Sequence, residues 1–347
     1  MVLSVLAVVL LFAVFFFSFN FMRSETAPTF LIALTALVVG VGGIWALFLS
    51  INRMVERFPA RVRSALLPYV FVGPAFLVLL IYIIYPTIRT IYVSFFDYTR
   101  GSGDPVNFGF QNYVAVLQDP RFLIAVRNNL LWLIFVPLLA VSIGLVIAVL
   151  VDRIKWEKYA KSLIFLPMAI SFVGASVIWR FIYYRATWGA QIGLLNAIVT
   201  FFGGEPVGWL RLEPWNNFFL IIIMVWLQTG FAMVILSSAV KNVPGSLMEA
   251  ARIDGAGEFR IFFQVIIPYI SGSILTVTTT IVILVLKVFD VVYVMTSGQF
   301  STEVIANMMY TQMFRAGQFG RGAALAVILF IAVTPIMIRN IRAMNQR

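Results

Sequence analysis

The chain has 347 residues, 62% of them hydrophobic and only 11% charged, where a soluble domain carries about 25% charged residues, so too few polar groups remain to cover a water-facing surface. Cysteine and histidine are both absent, which excludes disulfides, thiolate nucleophiles, the usual zinc sites and histidine acid–base chemistry. The net charge of +11 would point to nucleic acid in a soluble protein, but here the basic residues sit in short segments between apolar runs, so they set membrane orientation and no nucleic-acid partner is expected.

A bilayer-crossing helix needs about 20 mostly apolar residues. Eight such runs occur, near 2–21, 29–51, 66–86, 129–151, 162–183, 217–239, 271–296 and 322–338, which predicts an all-α polytopic membrane protein in contact with lipid. The first run lacks a basic start and a small-x-small cleavage site, so a retained helix is expected rather than a signal peptide. Arg53, Arg57, Arg61 and Arg63, then Arg153, Lys155, Lys158 and Lys161, then Lys241, Arg252 and Arg260, fall on one side, with Arg339, Arg342 and Arg347 at the end. The opposite, longer loops carry fewer basic residues, so the dense side and both termini are expected in the cytoplasm. Tyr183, Tyr184, Trp188, Trp209 and Trp215 lie where an outer aromatic belt is expected.

The Arg-rich stretch from Asn52 to Arg63 sets residues 1–65, with their two spans, apart from residues 66–347, a core of six spans. The outer segment from Thr87 to Asn128 is long enough for a small cap and carries turn signals at Gly101-Ser-Gly-Asp-Pro105 and Asp119-Pro120.

The most informative stretch is the cytoplasmic loop 244–268. Pro244-Gly245 breaks the preceding helix, and Ser246 followed by Glu249 has capping-box spacing, so a short helix is expected to start there. Gly255 can end it in the left-handed conformation, and a second helical run from Glu258 is expected to close before Pro268. By periodicity alone this is equally an interfacial elbow joining two spans.

The residues themselves add more. Glu249-Ala250-Ala251, three residues, Gly255, nine residues and Val265-Ile-Ile-Pro268 resemble the signature loop of binding-protein-dependent importer permeases, with Val265 for Ile and Ile267 for Leu. The resemblance extends from about Leu67 to Arg339, to the carbohydrate-uptake branch that includes the larger maltose-transporter permease. It is carried by Tyr85-Pro86, Phe110-Gln-Asn-Tyr113, Asp119-Pro-Arg-Phe122, Leu166-Pro167, Trp226 with Gly230, Ile253-Asp-Gly-Ala256, Lys287-Val-Phe-Asp290 and Ser301-Thr-Glu303. The first two spans resemble those of alpha-glucoside permeases. The chain lacks the large insertion of the maltose permease after the third span, so contacts to a binding protein must differ in detail.

The resemblance implies a non-catalytic permease subunit in a prokaryotic inner membrane. It binds no cofactor itself; ATP and Mg serve a separate cytoplasmic ATPase, expected in two copies. A second, shorter permease and an extracytoplasmic sugar-binding protein complete the set. The cargo implied is a sugar, an alpha-linked disaccharide or short oligosaccharide. Ser246, Glu249, Ala250, Ala251, Asp254, Gly255 and Ala256 would then meet the ATPase. Leu227, Gln228 and Phe231 match sugar-contact positions of the maltose permease, and Ser171 and Phe172 align more loosely. Lys287 and Asp290, three apart, would share a helical face, where they either line the path or neutralise charge. The sequence has no G-x-x-x-x-G-K-[ST] for nucleotide. A self-sufficient secondary transporter remains the alternative, although no internal repeat is evident. An intramembrane enzyme would have to rely on Lys287 and Asp290 and has no partnered serine.

Overall fold

A computed structural model of the chain describes residues 2–24, 27–101, 105–152 and 154–345. Arg153, Arg347 and the turn residues Ser102 to Asp104 therefore lie outside the described residues. The structure is helical almost throughout and divides into two compact units, Met1–Arg89 and Thr90–Arg347.

In the first unit, α1 (Val2–Met22) packs on α2 (Thr29–Val55), and α3 (Ala60–Ser94) follows and carries the unit boundary. Val38–Gly43 in α2 takes a π-helical turn, and Phe15 of α1 lies where a side chain on Gly43 would project. Pro68 and Pro74 are accommodated inside α3. Large apolar side chains of this unit point outward, with Phe17 70% and Phe30 75% exposed, as lipid-facing helices require.

The second unit opens with a small hairpin, β1 (Phe96–Asp97) against β2 (Val106–Phe108), and the short α4 (Gln111–Gln118). This is the cap expected from the long outer segment. Asn112 fastens it, its amide donating to the carbonyls of Ser94 (3.1 Å) and Phe96 (2.7 Å). Next, α5 (Pro120–Val151) starts on a clear signal: Pro120 in the first turn, and Asp119 accepting from the Arg121 backbone N–H at 2.9 Å. The Arg121 side chain, 2.7 Å away, holds the Asp119 carboxyl below the usual carboxylate range. At 32 residues α5 is about 48 Å long, more than a bilayer core needs.

After α5 come α6 (Glu157–Phe165), α7 (Phe172–Ile182), α8 (Leu194–Phe201) and α9 (Asn216–Lys241). They are followed by α10 (Gly245–Ile253), α11 (Glu258–Tyr269), α12 (Ser271–Leu286), α13 (Asp290–Met295), α14 (Ile305–Tyr310) and α15 (Phe319–Asn345). The core is the seam of α5 on α9, joined by α12. Trp132, Val136 and Ala140 of α5, Leu220, Met224 and Leu236 of α9, and Ile281 of α12 are buried there. Small residues bring the backbones together: a Cβ on Gly144 would sit 2.7 Å from Ala232 and 2.9 Å from the Met233 nitrogen.

All eight apolar runs fall on helix, but not all on straight helix. Five helices are long and apolar enough to cross a membrane, up to seven if each bent pair is one span, and α1 contributes a shorter apolar helix among the described residues. The expected run 162–183 is broken: the helical segments Glu157–Ala169 and Phe172–Ile182, on either side of Ile170 and Ser171, are bent by 102°. Pro167 lies in a single 3-10 turn, Ile170 and Ser171 are extended, and Ser171 caps α7 by accepting from the Gly174 N–H at 3.0 Å. The run 271–296 is also interrupted, ending at Leu286 and resuming at Asp290, and it is bent by 71° from α11 before it. Tyr183 is not part of an aromatic belt. It is buried, and its hydroxyl donates to the Phe219 carbonyl at 2.9 Å.

Gly144→Val should overpack the α5–α9 seam and cost about 1–3 kcal/mol. Thermal unfolding of the purified protein in detergent checks it; an unchanged midpoint would mean that the seam yields.

Candidate translocation site and coupling loop

The two helix interruptions face one cavity of about 410 Å³. Ile170 and Ser171 come from the first break and Asp290 from the second. Phe172 and Val173 of α7, Leu227, Gln228 and Phe231 of α9, and Thr280 and Leu284 of α12 complete most of the wall. Six of the seven positions read from the sequence, Ser171, Phe172, Leu227, Gln228, Phe231 and Asp290, are thus brought together. Met168, Ile170, Val173, Thr280 and Leu284 are added by the structure; their apolar or weakly polar character gave no sequence signal.

Gln228 is only 6% exposed, and its amide has no hydrogen-bond partner among the described residues. The amide is not among the enclosed polar atoms that lack a partner, so it opens onto the cavity, where a sugar hydroxyl can take the place of water. Trp226 packs behind the wall, edge-on to Trp179 at 5.8 Å. Gly230 lets α9 close on the first break, since a Cβ there would sit 2.5 Å from the Ile164 carbonyl oxygen.

Lys287 does not line the cavity. The shared helical face expected for Lys287 and Asp290 is absent, because the helix stops between them: Lys287 ends α12 at φ −108, ψ 28, and Phe289 adopts φ −140, ψ −59. The two form no ion pair with each other, and Lys287 is exposed.

The ends of α9 are held by polar groups. At its start Asn216 donates to the Phe300 carbonyl at 2.5 Å and Asn217 to that of Ser301 at 3.3 Å. From α5, Asn128 donates to the Ser301 and Glu303 carbonyls, both at 2.8 Å, and Asn129 accepts from the Ile305 N–H at 3.0 Å. The loop so clamped is bent through Ser297, Gly298, Phe300 and Ser301, all at positive φ. Within it, burial pushes the Glu303 carboxyl up, and it accepts from Asn307 at 2.6 Å. The paired asparagines at two span starts were a visible signal that the sequence reading did not use.

At the other end, Lys161 of α6 reaches Asp152 (2.5 Å), Glu157 (2.6 Å) and the Ser237 hydroxyl, which also donates to Asp152 at 2.8 Å. Lys241 pairs with Glu157. This clasp ties α5, α6 and α9 together just before the loop 244–268.

In that loop α10 begins at Gly245 with Pro244 at the cap, and Ser246 makes no capping bond. The capping-box expectation therefore fails: extended Pro244 takes the cap position two residues before Ser246, which places Ser246 inside the first turn. Gly255 has φ +80, as expected of the elbow. The second run does not close before Pro268 but continues to Tyr269, because a π-helical turn at Phe262–Ile266 precedes Pro268 and places it in the first turn of the final segment. Ala251 and Ala256 pack against the chain's own core, whereas Glu249, Ala250 and Asp254 are exposed. Two flanking apolar side chains point outward, Ile253 at 86% and Phe259 at 79% exposure.

Residues 125–344 match the family of binding-protein-dependent transport system inner membrane components. The chain belongs to that family. The permease is 57% identical over 274 residues to the osmoprotective compounds uptake permease GgtC of a Synechocystis strain, covering 78% of this chain and 96% of that one. It is 49% identical over 325 residues to the alpha-glucoside transport system permease AglF of Rhizobium meliloti, covering 89% and 96%. In fold it resembles a subunit of a bacterial alginate importer, with a TM-score of 0.70 at 18% identity over 82% of this chain and 97% of that one. Membership sets aside the self-sufficient secondary transporter.

Lys161→Met should leave the shielded Asp152 with only the more distant Lys241, 4.0 Å away, as its cation and destabilise the permease by about 1–3 kcal/mol. Adding Asp152→Asn should recover part of the loss. Thermal unfolding of the single and double variants measures both; additive losses would exclude the pairing.

Proposed function

We propose that this permease is one half of the translocation path of an ATP-driven importer of alpha-linked glucosides. The observation that carries it is the cavity where two interrupted helices meet, with the unpaired Gln228 amide, the Ser171 hydroxyl and the rings of Phe172 and Phe231 in its wall. A sugar offers rim hydroxyls for the polar groups and an apolar ring face for the aromatics. One relative supports the cargo class: AglF, 49% identical, is named for alpha-glucoside transport. The remaining parts of the importer are a second permease, a binding protein delivering sugar from outside, and a cytoplasmic ATPase pair that uses ATP and Mg. Both termini lie in the cytoplasm on this reading, and residues 1–65 are an addition to a core of residues 66–347.

The loop 244–268 is the ATPase contact. Exposed Glu249, Ala250 and Asp254 form its surface, with Ser246 beside them. Ile253 and Phe259 are the apolar anchors, while Ala251, Gly255 and Ala256 fix the elbow against the permease. Nothing lies within 4 Å of a Cβ built on Gly255, so its requirement is conformational and not steric. Gly255→Val should uncouple ATP hydrolysis from uptake, whereas Gly255→Asn, which tolerates the left-handed region, should retain most transport. Uptake and ATPase assays in reconstituted vesicles separate the two; equal behaviour of Val and Asn would remove the hinge role.

Uptake of labelled maltose tests the cavity. Gln228→Ala and Phe231→Ala should each raise the apparent KM about tenfold, equivalent to about 1.4 kcal/mol, with normal assembly. Unchanged affinity in both would move the sugar site elsewhere.

A further inference from the structure

One group of side chains has no part in the cavity wall, the clamps or the coupling loop. Phe289 stacks on Tyr293 with centroids 5.0 Å apart and planes inclined by 24°. Tyr293 meets Tyr310 edge-on at 5.0 Å, and Tyr310 lies 5.2 Å from both Phe289 and Phe314. Arg315 closes the array: its guanidinium lies 5.4 Å over the Tyr293 ring and donates to the Tyr293 hydroxyl at 3.4 Å.

These rings are not core. Val291, Val292 and Met295, on the other side of α13, are buried, whereas Phe289, Tyr293 and Tyr310 are half-buried and Phe314 and Arg315 are exposed. A lipid-facing strip would not carry a guanidinium, which is costly inside the bilayer. The position of the array is also specific. Asp290 walls the cavity and Tyr293 follows it by three residues, one turn along the same side of α13. From there α13 runs into the loop that Asn216 holds at the start of α9, the end of α9 opposite the coupling loop. The array therefore begins at the cavity edge and leads away from the coupling loop.

Partly exposed aromatic rings, Phe314 the most open of them, bordered by phenol hydroxyls and a guanidinium, match a pyranose, whose C–H face stacks and whose rim donates and accepts hydrogen bonds. We propose that Phe289, Tyr293, Tyr310, Phe314 and Arg315 form a second sugar subsite that extends the cavity and takes a further pyranose ring of a longer saccharide. It rests on the reading of the cavity as a glucoside site.

Equilibrium binding of labelled methyl α-glucoside (one ring) and maltotriose (three rings) to the purified transporter complex tests it. Tyr293→Leu and Tyr310→Leu should weaken maltotriose roughly three- to tenfold and leave methyl α-glucoside unchanged, while Tyr293→Phe and Tyr310→Phe, which keep the rings and lose only the hydroxyls, should weaken maltotriose less than the Leu variants. Phe314→Ala, at an exposed rim position that folding does not need, should weaken maltotriose in the same direction. Equal loss for both sugars, no loss for either, or Leu variants that no longer assemble with the second permease while Phe314→Ala binds normally, would overturn the subsite. A wild-type complex that binds neither sugar would overturn the glucoside reading itself, and the subsite with it.

Discussion

Inside a bilayer every backbone N–H and C=O must find a partner within the protein, so a helix can be interrupted only where other protein or a polar cavity receives the freed groups. This permease interrupts two of its apolar helices, at Leu166–Ser171 and at Lys287–Phe289, and both interruptions border the same cavity. The rest of the second unit follows from that constraint. The long, unbroken α5 and α9 supply the seam against which broken helices can be supported, and Gly230 removes a side chain where α9 meets the first break. Ser171 illustrates the economy of the arrangement: its hydroxyl caps α7, and the same residue lines the cavity.

Much of this was legible in the sequence, because bulk hydropathy places helices and residue types place chemistry. The apolar runs all became helix, and the polar turn around Gln228, together with Ser171 and Phe172, did converge. What escaped was continuity. A hydropathy window treats 271–296 as one span, and Lys287-Val-Phe-Asp290 contains neither proline nor glycine to announce a break, so Lys287 and Asp290 were assigned one face that the backbone does not provide. Pro167 did announce its break, but it sat within an apolar run that met the length test. Local motifs failed in a related way at Ser246, where capping-box spacing was present but Pro244 had already set the start of the helix.

The polar groups at the two ends of α9 have no apolar alternative and divide the labour. Asn128, Asn129, Asn216 and Asn217 bind a loop held by four consecutive or near-consecutive positive-φ residues, a conformation that persists only when its surroundings over-determine it. Asp152, Lys161 and Ser237 bind the opposite end through charge. Between them α9 contributes Leu227, Gln228 and Phe231 to the cavity from a helix pinned at both termini, so the geometry of these three is fixed relative to α5.

That pinning bears on how a cytoplasmic ATPase would move the path. Lys241, in the clasp, is separated from α10 only by Asn242, Val243 and Pro244, and Val243 is buried, so little slack exists between the elbow and α9. On the far side of the elbow, Glu258–Tyr269 leads through a 71° bend into α12, which carries Thr280 and Leu284 in the cavity wall and stops at the second break. A displacement of the loop is resisted by the clasp on one side and meets a π-helical turn and a bend on the other. If the loop is driven by an ATPase as proposed, the compliant route would run through α11 and α12 to Asp290, and the broken-helix wall of the cavity would move against the pinned α9 wall.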